Sequence, residues 1–158
     1  MKRKEIIQNL KKYFIIQELV GPNVYNKHKN QSWFVFDTSA LHSLLLLREG
    51  IGKPFLINNW YWDGIYDERG FRDNIQFIFY GATLKKKMYL SGHVLGKAFD
   101  ITITDMDAEF VRKWIVLHQD IFPCKIRLEH LKDGVPITWL HIDTCDYPEN
   151  PKIYFFNV

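Results

Sequence analysis

Apolar and polar positions change period several times along this chain, and each change marks a predicted element. Near the start, Ile6, Ile7 and Leu10 sit at helical spacing among basic residues, which predicts a short amphipathic helix over 4–10 leading into Tyr13-Phe14-Ile15-Ile16. Asp37-Thr38-Ser39 offers an N-cap to a segment over 40–48 that is apolar on all sides around Leu44-Leu45-Leu46-Leu47, so a central helix is expected, stopped by Gly50. Pro54-Phe55-Leu56-Ile57 has the character of a buried strand. Residues 63–92 keep neither period and predict a long loop with one short ordered segment over 75–79. A loop of that length in a compact domain is usually functional.

Downstream the pattern sharpens. Residues 98–103 alternate and are rich in β-branched side chains, as a strand requires. Asp105 and Asp107 open a helix with Phe110, Val111, Trp114, Ile115 and His118 at helical spacing, ending before Pro123. Segments 125–130 and 137–143 flank the turn signal Lys132-Asp133-Gly134 and predict a hairpin, with 153–156 as a last edge strand. Helices first and strands afterwards predict an α+β fold in a single domain over 1–158: an antiparallel sheet with helices packed on one face and a cleft on the sheet.

Composition narrows the function class. A chain of 158 residues with 47% hydrophobic and 25% charged side chains can close a core without disulfides, and its 16% aromatic content suits both a core and a cleft. A net charge of +3 is too small to argue for nucleic acid, so the basic runs at 1–12 and 85–87 are expected to be solvated surface. Cys124 and Cys145 form no framework and suit a reducing compartment. Gln8 and Asn9 interrupt Ile6-Ile7 before any signal-peptide apolar region develops, and no run is long enough to span a bilayer. The expectation is a protein cytoplasmic as synthesised, with neither a membrane nor a nucleic-acid partner.

The densest chemistry lies in Ser91-Gly92-His93-Val94-Leu95-Gly96-Lys97-Ala98-Phe99-Asp100, where a loop histidine precedes a strand aspartate by one turn. Both are plausible zinc ligands, and a catalytic zinc takes three protein ligands and leaves one position open. Alternation in Thr138-Trp139-Leu140-His141-Ile142-Asp143 puts Ile137, Trp139, His141 and Asp143 on one strand face, which makes His141 the candidate third ligand. His28, His42, His118 and His130 have no partner spacing and are expected to be structural. No H-E-x-x-H occurs.

S-x-H-x-x-G-x-A-x-D followed by W-x-H resembles the signature of zinc peptidases of the D-alanyl-D-alanine carboxypeptidase and L-alanyl-D-glutamate endopeptidase type, whose fold the hedgehog signalling domain shares. The likeness extends to Tyr13–Leu19 and to Arg69-Gly70-Phe71-Arg72, where Arg69 departs from the family's usual serine. The resemblance implies one zinc ion held by His93, Asp100 and His141, with Arg72 facing the substrate, Ser91 contributing to its binding, and a peptidoglycan stem peptide as partner in a virion or phage-lysis setting. Trp60, Tyr61 and Trp62 are expected to wall the cleft. Many members place a glutamate just before the W-x-H, where this chain has Thr138. In the compact branch of the family the glutamate sits instead on the preceding hairpin strand, and the resemblance makes Glu129 the preferred general base. A hairpin centred on Gly134 agrees, pairing Glu129 with Trp139 and Arg127 with His141 on the zinc side of the sheet. Asp143 is its rival, either as base or as the acceptor that orients His141. For Arg72 the competing role is an ion pair with Asp67, Glu68 or Asp73. The departures at Arg69 and Thr138 keep a second function class open, a zinc-bearing structural or binding module without turnover.

Overall fold

The computed structural model describes residues 1–148 and 151–158. Helix α1 (Arg3–Leu10) buries Ile6 and Leu10. Helix α2 (Pro22–His28), which starts on a proline, and a 3-10 run over Lys29–Val35 follow in a stretch for which the apolar pattern predicts no element. In α3 (Thr38–Ile51) the Asp37 carboxylate caps the amides of Ser39 and Ala40, as expected. The helix runs past Gly50 to Gly52, which takes the left-handed conformation at φ 72°. Gly50 is glycine for another reason: a Cβ there would lie 2.3 Å from the Trp114 ring.

The sheet has the order β1-β2-β4-β3-β5, built from β1 (Phe55–Leu56), β2 (Ala98–Ile103), β3 (Ile126–Lys132), β4 (Val135–Asp143) and β5 (Ile153–Asn157). The first four strands in that order pair antiparallel, whereas β5 runs parallel to β3. The sheet is therefore mixed, which corrects the purely antiparallel expectation. The cause is topological. Strand β4 ends opposite the start of β3, at Asp143 beside Arg127, and the chain then enters the far edge of β3 from that same end, with Ile153 beside Ile126.

Alternation separates two faces. Phe99, Ile101, Ile126, Leu128, Leu140 and Ile142 join one buried cluster with side chains of α1, α3 and α5 (Ala108–Leu117). Asp100, Glu129, His141 and Asp143 belong to the opposite face. Helix α4 (Phe77–Leu84) stands outside the helical layer, buries none of its residues, overlaps the short ordered segment expected over 75–79 and extends it into expected loop.

The hairpin turn is the two-residue type, with φ 50° at Asp133 and 78° at Gly134. Its register departs from the simple expectation. Leu131 pairs with Pro136, but Glu129 then pairs with His141 and Arg127 with Asp143, so His130 alone faces residues 137–140. The expected pairs, Glu129 with Trp139 and Arg127 with His141, are corrected by this irregularity, although Glu129 keeps the predicted face. Ile137, placed by strict alternation beside His141, lies beyond the irregularity next to Arg112 and Asp107.

Arg112 of α5 explains why the irregularity is tolerated. Its guanidinium, 1% exposed, donates to the carbonyls of Glu129 (3.2 Å), Ile137 (3.1 Å) and Trp139 (2.9 Å), acceptors that an uninterrupted ladder would have used. Glu109 balances its charge at 3.4 Å. Arg112→Met is expected to strand these acceptors and lower stability by roughly 3 kcal/mol. Urea unfolding checks this, and a loss below about 1 kcal/mol would show that the bulge does not depend on Arg112.

Candidate metal centre

Three adjacent strands and one loop assemble the centre. Asp100 on β2 lies directly across the ladder from His141 on β4, and Glu129 on β3 flanks His141 from the other side. His93 arrives from the loop before β2, through a turn at Gly96 with φ 67°. A Cβ at Gly96 would also lie 2.0 Å from the Val35 carbonyl, so glycine is needed there for both torsion and space. Behind the loop, the Gly70 carbonyl accepts from His93 Nδ1 at 2.8 Å, while the Arg69 carbonyl accepts from the Asp100 amide at 2.8 Å. The stretch Arg69-Gly70-Phe71-Arg72 thus buttresses both groups, and Gly70 lets it approach the Leu19 carbonyl, 1.9 Å from where a Cβ would stand.

His93, Asp100 and His141 form a buried group that could hold a metal ion, with one ligand atom from each lying within 4.8 Å of the others. His93 Nε2 is 3.3 Å from Asp100 Oδ2, and His141 Nδ1 is 2.7 Å from Asp100 Oδ1. Both imidazoles are anchored through their other nitrogen, His93 to the Gly70 carbonyl and His141 Nε2 to Asp143 Oδ2 at 3.1 Å. Outer anchors of this kind fix the tautomer and ring orientation of a metal-ligating histidine. The donor set, the spacing and the anchors all fit a divalent cation.

No protein-family model matches the chain, and no curated protein or solved structure matches it significantly. What the centre can do follows from its own atoms. Burial alone would lower the His141 pKa, but hydrogen bonds to Asp100 and Asp143 outweigh it and carry it up to about 9. Burial raises Asp143, yet hydrogen bonds from His141 and Arg127 hold it down at about 2. Asp100 likewise overcomes its burial through His93 and His141 and stays well below the carboxylate range. His93 is pushed down by burial against the opposing pull of Asp100. Glu129 is raised, chiefly by burial with Asp100 adding to it and His141 opposing.

These shifts give the metal-free protein two pH limits. His141 is raised, so its contribution is complete below about 6.5 and is lost as pH rises through about 9. Asp143 is depressed, so its contribution is complete above about 3.8 and is lost as pH falls toward about 2. Ligation requires neutral imidazole, so metal uptake at neutral pH must release the His141 proton. Metal affinity is therefore expected to rise about tenfold per pH unit up to pH 9 or so. Calorimetry in buffers of different ionisation heat measures that proton; uptake without release would mean that His141 is not a ligand.

The cleft over the centre has a volume of about 470 Å³. Arg72, Ser91, Glu129 and Asp143 line it. Arg72 does not pair with Asp67, Glu68 or Asp73 side chains: its guanidinium reaches Asp100 Oδ2 at 3.2 Å, the Tyr89 hydroxyl and the Glu68 carbonyl. Ser91 Oγ is buried with no hydrogen-bond partner among the described residues. Asp143 is fully engaged, receiving Arg127 Nε (2.8 Å) and Nη2 (3.0 Å), the Cys145 amide (2.8 Å) and His141.

Trp60, Tyr61 and Trp62 are a correction, since none of the three lines the cleft. Trp60 spends its indole N–H on the Val20 carbonyl and packs against Tyr25, and Tyr61 and Trp62 follow it onto the outer surface of a 3-10 turn. Tyr89, Trp139 and Phe156 are the aromatic residues of the cleft. Phe156 sets its ring 5.7 Å from that of His141. Alternation in β5 could have flagged it, but only with the strand's neighbour known; Tyr89 carries no signal in sequence. Of the other four histidines, three have ordinary partners, His28 on Phe34, His118 on Trp114 and His130 beside Glu109, and His42 lies on α3 away from the centre.

Proposed function

We propose that this chain is a zinc-dependent peptidase that hydrolyses an amide bond in peptidoglycan stem peptides. The observation that carries the reading is a carboxylate without a ligand's duties beside the ligand group: Glu129 Oε2 lies 4.0 Å from His141 Nδ1, on the floor of a solvent-open cleft. Two imidazoles and one carboxylate, with neither thiolate nor an all-oxygen shell, suit zinc better than magnesium or calcium. When bound, zinc supplies Lewis acidity that polarises a scissile carbonyl and acidifies water.

The remaining steps belong to the chain. Glu129 takes a proton from the attacking water at Oε2 and delivers it to the leaving amide nitrogen. Arg72, held on Asp100 and Tyr89, presents positive charge where an oxyanion develops. Ser91, on the cleft wall, offers its hydroxyl to the peptide, and Lys132 favours a substrate bearing carboxylates, as stem peptides do, whereas Arg127 is spent on Asp143. Asp143 orients His141 and moves no proton, because its oxygens are already committed. The substrate class follows from the resemblance of the S-x-H-x-x-G-x-A-x-D and W-x-H segments, and with it a virion or lysis setting.

The test is digestion of purified muropeptides by zinc-loaded protein, read by mass spectrometry. One bond split with the gain of one water is expected. If every peptide stays intact, the hydrolase reading fails and a metal-holding binding module takes its place.

A further inference from the structure

Helix α4 and the residues after it expose more apolar surface than any other stretch near the cleft. Phe77 is 84% exposed and Met88 93%, and Ile75, Tyr80, Leu84 and Leu90 are also open to solvent. None of the helix's own residues is buried. Contiguous apolar surface of this kind on a soluble fold marks a contact with something else. Charge says what. Lys85, Lys86 and Lys87 follow the helix directly, all exposed, and no acidic residue occurs between Asp73 and Asp100. Two acids, Glu68 and Asp73, are engaged at the opposite end of the helix, where Glu68 accepts from the Ile78 amide at 2.9 Å and Asp73 from the Ile75 and Gln76 amides.

We propose that this face docks on an anionic lipid bilayer, with the apolar side chains entering the headgroup boundary and the three lysines resting on lipid phosphates. Phe77 and Tyr80 could stack on a base, but Ile75, Leu84, Met88 and Leu90, the larger share of the exposed side chains, have no such face and gain only by leaving water, which favours lipid over nucleic acid. Clustered lysines beside apolar residues are attracted by the negative potential of an anionic membrane surface. The described residues contain no helix long and apolar enough to cross a membrane, but that criterion concerns spanning a bilayer and not lying on one. Ile78, Tyr89 and Leu90 also line the metal cleft, so docking would seat the cleft's rim against the membrane.

Vesicle co-sedimentation of the full chain tests this without reference to metal or hydrolysis. The vesicles are pure phosphatidylcholine, or phosphatidylcholine with roughly a third phosphatidylglycerol. Binding is expected only to the anionic vesicles and should weaken with salt. Lys85→Glu/Lys86→Glu/Lys87→Glu should reduce it by roughly a hundredfold, and Phe77→Ser/Met88→Ser by at least about tenfold. A Phe77→Trp reporter should shift its emission to the blue on the same vesicles. Circular dichroism melts of the exposed variants, expected to match wild type, separate lost docking from lost folding. Absence of binding to anionic vesicles overturns the proposal. So does equal binding to neutral vesicles, or self-association abolished by Phe77→Ser/Met88→Ser, which would make a second copy the occupant. Retention of single-stranded DNA regardless of the apolar substitutions would assign the lysines to nucleic acid instead.

Discussion

Asp100→Asn is expected to weaken zinc binding by about a thousandfold, comparable to removing one of three protein ligands from a site whose total binding free energy is of the order of 10 kcal/mol. Asp100 supplies the only formal negative charge among the ligands, and its two oxygens face His141 at 2.7 Å and His93 at 3.3 Å. The amide keeps the shape but sets an NH2 against groups that already donate, Arg72 among them at 3.2 Å. The metal-free variant should also lose stability at neutral pH, by roughly 2–3 kcal/mol, because a buried cationic His141 and Arg72 lose a shared counter-charge. That part of the loss should shrink above about pH 9, where wild-type His141 is neutral as well. Competition with a chromophoric chelator measures the first effect and urea unfolding in chelator the second. Asp143→Asn, which reaches the centre through His141 Nε2, should weaken metal binding by about ten- to a hundredfold. A metal affinity in Asp100→Asn equal to wild type would place the ion somewhere other than this centre.

The contrast between those two aspartates reflects what can be seen in a sequence. His93 and Asp100 are legible because one tight turn at Gly96 and one strand fix their separation, so spacing determines geometry. His141 follows because alternation puts it on the same strand face as Asp143, and β4, already paired with β3 in the hairpin, has its other edge on β2. The face of Glu129 is equally legible, but its partner is not. That pairing depends on Arg112, which looks like one more basic helix residue until α5 is packed on β4 and its guanidinium meets three carbonyls. The supporting role of Gly70 is hidden for the same reason, since the Leu19 carbonyl it clears lies some fifty residues earlier in the chain. Aromatic clustering misled at Trp60-Tyr61-Trp62, where composition fits a wall but the indole N–H serves the Val20 carbonyl. Helix α4 has no apolar period to read because no side of it faces the core.

Glu129→Gln is expected to lower kcat on muropeptides by a factor on the order of 10²–10⁴ while leaving zinc content at wild-type level. The amide is isosteric, so the Arg112 contact to the Glu129 carbonyl and the pairing with His141 persist. What disappears is a proton acceptor. In the metal-free centre burial and Asp100 raise the Glu129 pKa against the pull of His141, and a bound cation opposes that shift; the wild-type rate should climb as this group ionises. That ascending limb should be absent from the residual rate of Glu129→Gln. Asp143 is the informative comparison, because it is also a cleft carboxylate near His141 but is held at about 2 and receives four hydrogen bonds. Asp143→Asn should recover most of its activity when excess zinc restores occupancy, whereas Glu129→Gln should not respond to zinc at all. The reverse pattern, with Glu129→Gln active within a few-fold and Asp143→Asn inactive though fully loaded, would transfer the proton-moving role to Asp143. An amide bond needs both water activation and protonation of its nitrogen, and in the proposed mechanism the one carboxylate at Glu129 serves each in turn.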